Sequence, residues 1–259
     1  MKMEEKEKIW DWFRIYVQTF RAAGYGGLEH IILKEEHCLR VSEEISGLAG
    51  ELGLDEEEII LAEIIGLLHD VGRFEQYSRY GTFVDARSVD HASLGSRIIR
   101  NNGILDGVGS GERKIIHRAI LNHSALELEP DEDERSFFFS RLLRDADKLD
   151  IWKIMIEFYQ AGGGSEDEAV GLNLPDNGRV SDEVLDDLHD HRSVDASNLR
   201  SQDDFKLLQI GWVYDINFAP AMSRVLRRGY LQKLRSMLPD DREALEAADA
   251  AISHARNSC

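Results

Sequence analysis

The stretch Ile59-Ile60-Leu61-Ala62-Glu63-Ile64-Ile65-Gly66-Leu67-Leu68-His69-Asp70-Val71-Gly72-Arg73 decides how this chain is read. Ten residues of almost unbroken apolar character run into an imidazole and a carboxylate. Asp55 before them fits an N-cap, and Glu56–Glu58 suit the positive end of a helix dipole. The run therefore predicts a buried helix from about 56 to His69-Asp70. Two polar groups at the end of a buried helix are costly to desolvate unless something binds them. A divalent cation is a common answer, since His nitrogen and Asp oxygen are frequent ligands.

Further metal-competent side chains lie on either side: His37 before the pair, and His91, His117, His123 and Asp147 after it. A helix offers one face only every third or fourth residue, so a set of ligands usually comes from several packed helices. The flanking pattern supplies them. Amphipathic helices are predicted over about 7–22 and 29–52, the second carrying His37 and ending near Gly53. Others are predicted over about 90–101 with His91, about 112–124 with His117 and His123, and about 135–160 with Asp147. Neighbours such as His69 and Asp70 point about 100° apart on a helix, so both reach one ion only near its end, which Gly72 suits. His117 and His123 are six residues apart and do not share a face cleanly, so only one of them is expected to bind.

Between these helices the reading is looser. Residues 72–90 look irregular and aromatic, with Phe74, Tyr77, Tyr80 and Phe83. Gly24, Gly26 and Gly27 break the first helix, and Gly103 to Gly111 and an acidic stretch with Pro130 read as loops. From about 161 to 200 the chain turns acidic and glycine-rich and is expected to form an insertion or flap. A short helix is expected inside it at Asp182–His189. Apolar helix returns over 202–236, followed by a charged helix at about 240–256. Strand signals are weak, so the fold class is all-α: one domain, 1–259, with a metal-binding core at about 30–155. Leu188-His189-Asp190 repeats the tripeptide Leu68-His69-Asp70, but its flanks are charged and no apolar helix precedes it. It is expected to be exposed and metal-free.

Composition narrows the function classes. The chain carries 31 basic and 49 acidic residues among 259, a net charge of −18. That excess argues against binding long nucleic acids or anionic membranes. The two cysteines, Cys38 and Cys259, are not expected to pair. With no apolar leader at the start and no run long enough to span a bilayer, a cytoplasmic location is expected. No phosphate-binding glycine motif or GxSxG nucleophile elbow occurs.

The ordered pattern H…HD…D, met by His37, His69-Asp70 and Asp147, resembles the HD-domain superfamily of metal-dependent phosphohydrolases. The flanks LLHDVGRFEQY and LLRDADKLD are similar to HD-family motif contexts, and the resemblance covers about residues 30–155. His91 in DHASLG and His123 in AILNHS are similar to segments that supply a second metal in dinuclear members. The resemblance implies an HD-type helical bundle. It implies one ion at His37, His69, Asp70 and Asp147, and a second at His91 and His123, with Asp70 bridging. It further implies hydrolysis of a small phosphate ester, most plausibly a nucleotide, through a metal-activated water. The cofactor would be one or two ions of Mn, Mg, Fe, Ni, Co or Zn. Asp70, Arg73 and Lys148 are expected to serve catalysis, and Arg73, Gln76, Tyr77 and Lys148 to touch substrate. The subgroup that cleaves cyclic dinucleotides is less favoured, because Asn122-His123 stands where it has adjacent histidines. A (p)ppGpp hydrolase is less favoured because no synthetase or regulatory domain accompanies the motif. The same ligands would suit a di-iron oxygenase of the HD fold, or a sensor that binds without turnover.

Overall fold

Capping and apolar periodicity account for most of the helices. In the computed structural model, residues 1–22, 27–128, 133–162 and 172–258 are described. Gly24, Gly26, Pro130, Gly163-Gly164, the acidic residues 165–171 and Cys259 lie outside them. Among the described residues the chain is helical with no strand, and no helix is long and apolar enough to cross a membrane. It divides into two compact units, the first ending at Asp147.

The first unit begins with α1 (Met3–Ala22), which buries Ile9, Phe13 and Val17 at four-residue spacing and leaves Ile15 exposed on its other side. Next come α2 (Leu28–Glu51), α3 (Glu56–Leu68) and α4 (Val71–Tyr80). Asp55 caps α3, its carboxylate accepting from the Glu58 amide at 2.9 Å. Helix α3 buries eight of its residues and packs closely on α2. Gly66 allows that approach. A Cβ there would lie 2.8 Å from the Ser42 Cα and 2.9 Å from the Val41 oxygen.

The irregular segment expected over 72–90 is helical for its first half, in α4. Its polar residues hid an apolar anchor, Phe74. That ring is fully buried and makes edge contacts with Phe13 and Tyr16, both at 6.1 Å. Gly72 does not end a helix as expected but lies in the first turn of α4. A Cβ at this position would meet the His91 carbonyl oxygen at 2.1 Å and the Gly95 nitrogen at 2.7 Å. Only glycine lets α4 press against α5 (His91–Asn101) here. A short 3-10 turn, Asp85–Arg87, links the two. The unit continues with α6 (Ser110–Asn122) and the first half of α7 (Glu134–Gln160).

The second unit takes the rest of α7, then α8 (Asp182–His189), α9 (Gln202–Gly211), α10 (Ala219–Arg228), α11 (Tyr230–Arg235) and α12 (Arg242–Asn257). The apolar run 202–236 is three helices rather than one. Pro220 starts α10, and Gly229, with φ of 66°, separates α10 from α11. The acidic stretch is better anchored than a flap from residue 172 onward. Val184, Leu185 and Leu188 give α8 a buried stripe that packs against α9 and α12. The buried Asp204 carboxylate fastens its approach, accepting from the Ser181 and Arg200 amides at 2.8 Å each. Trp152 forms the aromatic centre of this unit, stacking on Tyr230 and donating to the Gln209 carbonyl at 2.9 Å.

Candidate metal centre

The two residues between α3 and α4, His69 and Asp70, are the hub of the first unit. Helix α3 stops at Leu68 and α4 starts at Val71, so the pair sits in a break where both side chains turn the same way. His37 comes from the middle of α2, His91 from the first position of α5, His123 from just past α6, and Asp147 from α7. All but Asp147 are buried, and Asp147 keeps 13% of its side chain exposed.

The six side chains form two sets that share Asp70. On one side, His37 Nε2 lies 3.2 Å from His69 Nε2, 3.1 Å from Asp147 Oδ1 and 3.6 Å from Asp70 Oδ2. On the other, His91 Nε2 lies 3.0 Å from His123 Nε2 and 3.5 Å from Asp70 Oδ1, which is 3.7 Å from His123 Nε2. Each oxygen of one carboxylate thus faces its own group of donors. His117 belongs to neither set. Its Nδ1 pairs with Ser96 Oγ at 2.9 Å, and it lines a separate cavity with Arg100 and Arg113.

Hydrogen bonding fixes what these imidazoles offer. His69 Nδ1 faces the Gly66 carbonyl at 2.7 Å and His123 Nδ1 the Ile120 carbonyl at 2.6 Å. A carbonyl only accepts, so each Nδ1 carries a proton and each ring turns its Nε2 inward. Burial holds the His69 pKa below its ordinary value. It does the same for His91, with help from Arg73, down to about 4. These rings are neutral near pH 7. Burial alone would raise the Asp70 carboxyl, but Lys34, His69, His123 and Arg73 outweigh it and hold it well below the usual range. His37 and His69 do likewise for Asp147.

Lone pairs and carboxylates crowded together out of water repel one another. Asp70 Oδ1 and Asp147 Oδ1 are buried with no hydrogen-bond partner among the described residues. A divalent cation would satisfy those oxygens, and these side chains form three groups, in each of which the ligand atoms lie within 4.8 Å of one another. The residues present fit such an ion.

Around the hub, sequence reasoning missed three residues. Lys34 Nζ is 2.7 Å from Asp70 Oδ2; it precedes His37 by one helical turn, the spacing that signals a shared face. Asp85 Oδ2 lies 2.6 Å from His91 Nδ1, and burial notwithstanding, its carboxyl is held down at about 2 by His91 and Arg73. Arg144 is buried and donates to the carbonyls of Asn122, His123, Ala125 and Leu126, fixing the turn that carries His123.

The expected substrate contacts are placed unequally. Gln76 is fully buried, and its amide nitrogen donates to Asp85 Oδ1, Ser88 Oγ and the Val89 carbonyl. Those bonds spend the amide on the loop before α5 rather than on a ligand. Arg73 spans the site: its Nε is 3.4 Å from Asp70 Oδ1, while Nη1 donates to Asp85 Oδ1 at 2.9 Å and to the Phe83 carbonyl. Tyr77 stacks on His30, with its hydroxyl 3.0 Å from His30 Nδ1. Lys148 opens the second unit, where Nζ pairs with Asp215 Oδ2 at 2.5 Å.

Comparison with known proteins agrees with this geometry. Residues 35–152 match the family model of the HD domain. No curated protein and no solved structure matches the chain. The match begins two residues before His37 and ends five after Asp147, so it encloses all six of these side chains, and residues 35–152 of this chain are similar to the HD domain.

Proposed function

We propose that the chain is a metal-dependent phosphohydrolase acting on a small phosphate ester, a nucleotide being the favoured class, at a two-ion centre. The observation that carries this reading is Asp70, whose two oxygens face separate donor sets at 3.5–3.7 Å. His37, His69 and Asp147 would hold one ion and His91 and His123 the other, with Asp70 shared. Bound there, divalent cations would lower the pKa of a water and offset charge on the phosphoryl oxygens.

The chain's own groups do the rest. The neutral His69 and His91 rings keep Nε2 available without a proton to displace. Lys34 and Arg73 bring positive charge to opposite oxygens of Asp70, on the side of the Phe83 ring, which Lys34 Nζ approaches to 5.4 Å. Their charge favours an anionic ligand beside the ions. Tyr77 and His30 form a stacked pair on the same helices, a surface suited to a planar group such as a base. The net charge of −18 favours small substrates over long nucleic acids. A cytoplasmic setting suits such an enzyme and belongs to the same proposal.

The test is phosphate release by the purified full chain over nucleotides and sugar phosphates with added Mn²⁺, alongside oxygen uptake with Fe²⁺. Turnover of one phosphate-ester class is the expected result. Oxygen consumption without phosphate release would replace this reading with a di-iron oxygenase, and tight nucleotide binding without turnover would replace it with a sensor.

A further inference from the structure

The two halves of the centre are secured in different ways. His69 and His123 each anchor Nδ1 on the carbonyl three residues earlier, Gly66 and Ile120, in the last turns of α3 and α6. Those acceptors cannot leave without unwinding a helix. His91 stands at the first position of α5, so no preceding helical turn offers it a carbonyl. A side chain takes that place: Asp85 Oδ2, at 2.6 Å. Asp85 is aimed from its other oxygen, which accepts from Arg73 Nη1 at 2.9 Å and Gln76 Nε2 at 2.8 Å. The acceptor is a charged group on a short 3-10 turn, with 34% of its side chain exposed.

Resting on the two-ion reading above, we infer that Asp85 is a positioning residue for the second ion. It holds the His91 ring so that Nε2 meets Asp70 Oδ1 and His123, and this makes the His91 half the separately adjustable half of the centre. Removing Asp85 frees the ring to turn and leaves Nδ1 without its acceptor, while His37, His69 and Asp147 keep every anchor they have. Partners of this kind change metal affinity by about 10- to 100-fold in metal sites generally. The same argument gives the buried Gln76 its use, since its amide nitrogen is spent on aiming Asp85 and the turn around it.

The experiment is Mn²⁺ binding to the full chain stripped with chelator, followed by the free-ion electron paramagnetic resonance signal, for wild type, Asp85→Ala and Asp85→Asn. Wild type is expected to take two ions per chain. Asp85→Ala should keep the first step within about twofold and weaken the second by about tenfold or more. Asp85→Asn should fall between, because an amide oxygen still accepts from Nδ1 but without charge. Circular dichroism of the metal-free chains should be unchanged. Two unaltered steps in both variants, or equal weakening of both steps, would overturn the role of Asp85. A wild-type chain that binds fewer than two ions would instead overturn the two-ion reading, whatever the variants do.

Discussion

The tripeptide Leu-His-Asp occurs twice, at residues 68–70 and 188–190, and the two copies meet opposite fates. Each follows a helix whose last leucine is buried. In the first copy His69 has no exposed surface, and Asp70 has 2%; four more side chains able to ligate a metal converge on them from other helices. In the second, His189 and Asp190 are exposed, and Asp190 pairs with Arg192 at 2.7 Å. The difference lies in the helices that lead in. Helix α3 buries every residue from Ile60 to Leu68 except Glu63, so whatever follows it is surrounded too. Helix α8 has one apolar stripe, so its end is left in water. A site able to hold a metal is thus a property of the neighbours that a burial pattern gathers, not of the dipeptide.

That comparison can be broken by mutation. The largest effect is expected at Asp70→Ala, which removes the one carboxylate that, among the described residues, faces both donor sets. Metal retention and phosphate release should both be lost, the latter by about a thousandfold or more, as expected when ion-based charge stabilisation disappears. Steady-state kinetics with metal analysis checks it. Gly72→Ala comes next. The added methyl has the His91 carbonyl at 2.1 Å, so α4 and α5 must separate, costing about 1–3 kcal/mol. Denaturant unfolding of the metal-free chain would show the loss, and wild-type stability would refute the close approach.

Arg144→Met sharpens the comparison from another side. It removes the guanidinium that holds four carbonyls around His123. A loss of about 1–3 kcal/mol is expected, with weaker metal retention. The smallest effect belongs to His189→Ala, which should leave activity unchanged and stability within about 0.5 kcal/mol. A large loss of activity there would mean that the second copy takes part after all.

Much of this was legible because burial and capping write themselves into sequence. The α3 run, the Asp55 cap and the boundaries of α2, α5 and α7 follow from apolar periodicity and single polar residues at the ends. The gathering of His37, His69, Asp70, His91, His123 and Asp147 followed from their order on separate helices. What escaped has physical reasons. Helix α4 carries two buried apolar residues, Val71 and Phe74, among polar and glycine neighbours, too weak a period to read. Pro220 and Gly229 divide the 202–236 run at points its apolar content alone does not mark. The stripe Val184, Leu185 and Leu188 was masked by surrounding acid. Lys34 could have been found from its one-turn spacing to His37. Asp85 and Arg144 reach their partners through loop and helix-end geometry that leaves no spacing rule behind.

The most direct test is elemental analysis of the full chain purified without chelator, as wild type, His69→Ala and His189→Ala side by side. Full divalent metal in wild type and His189→Ala, and at least one ion fewer in His69→Ala, is the predicted result. Wild-type metal content in His69→Ala, or metal lost from His189→Ala, would contradict a buried centre built on the first copy of the tripeptide.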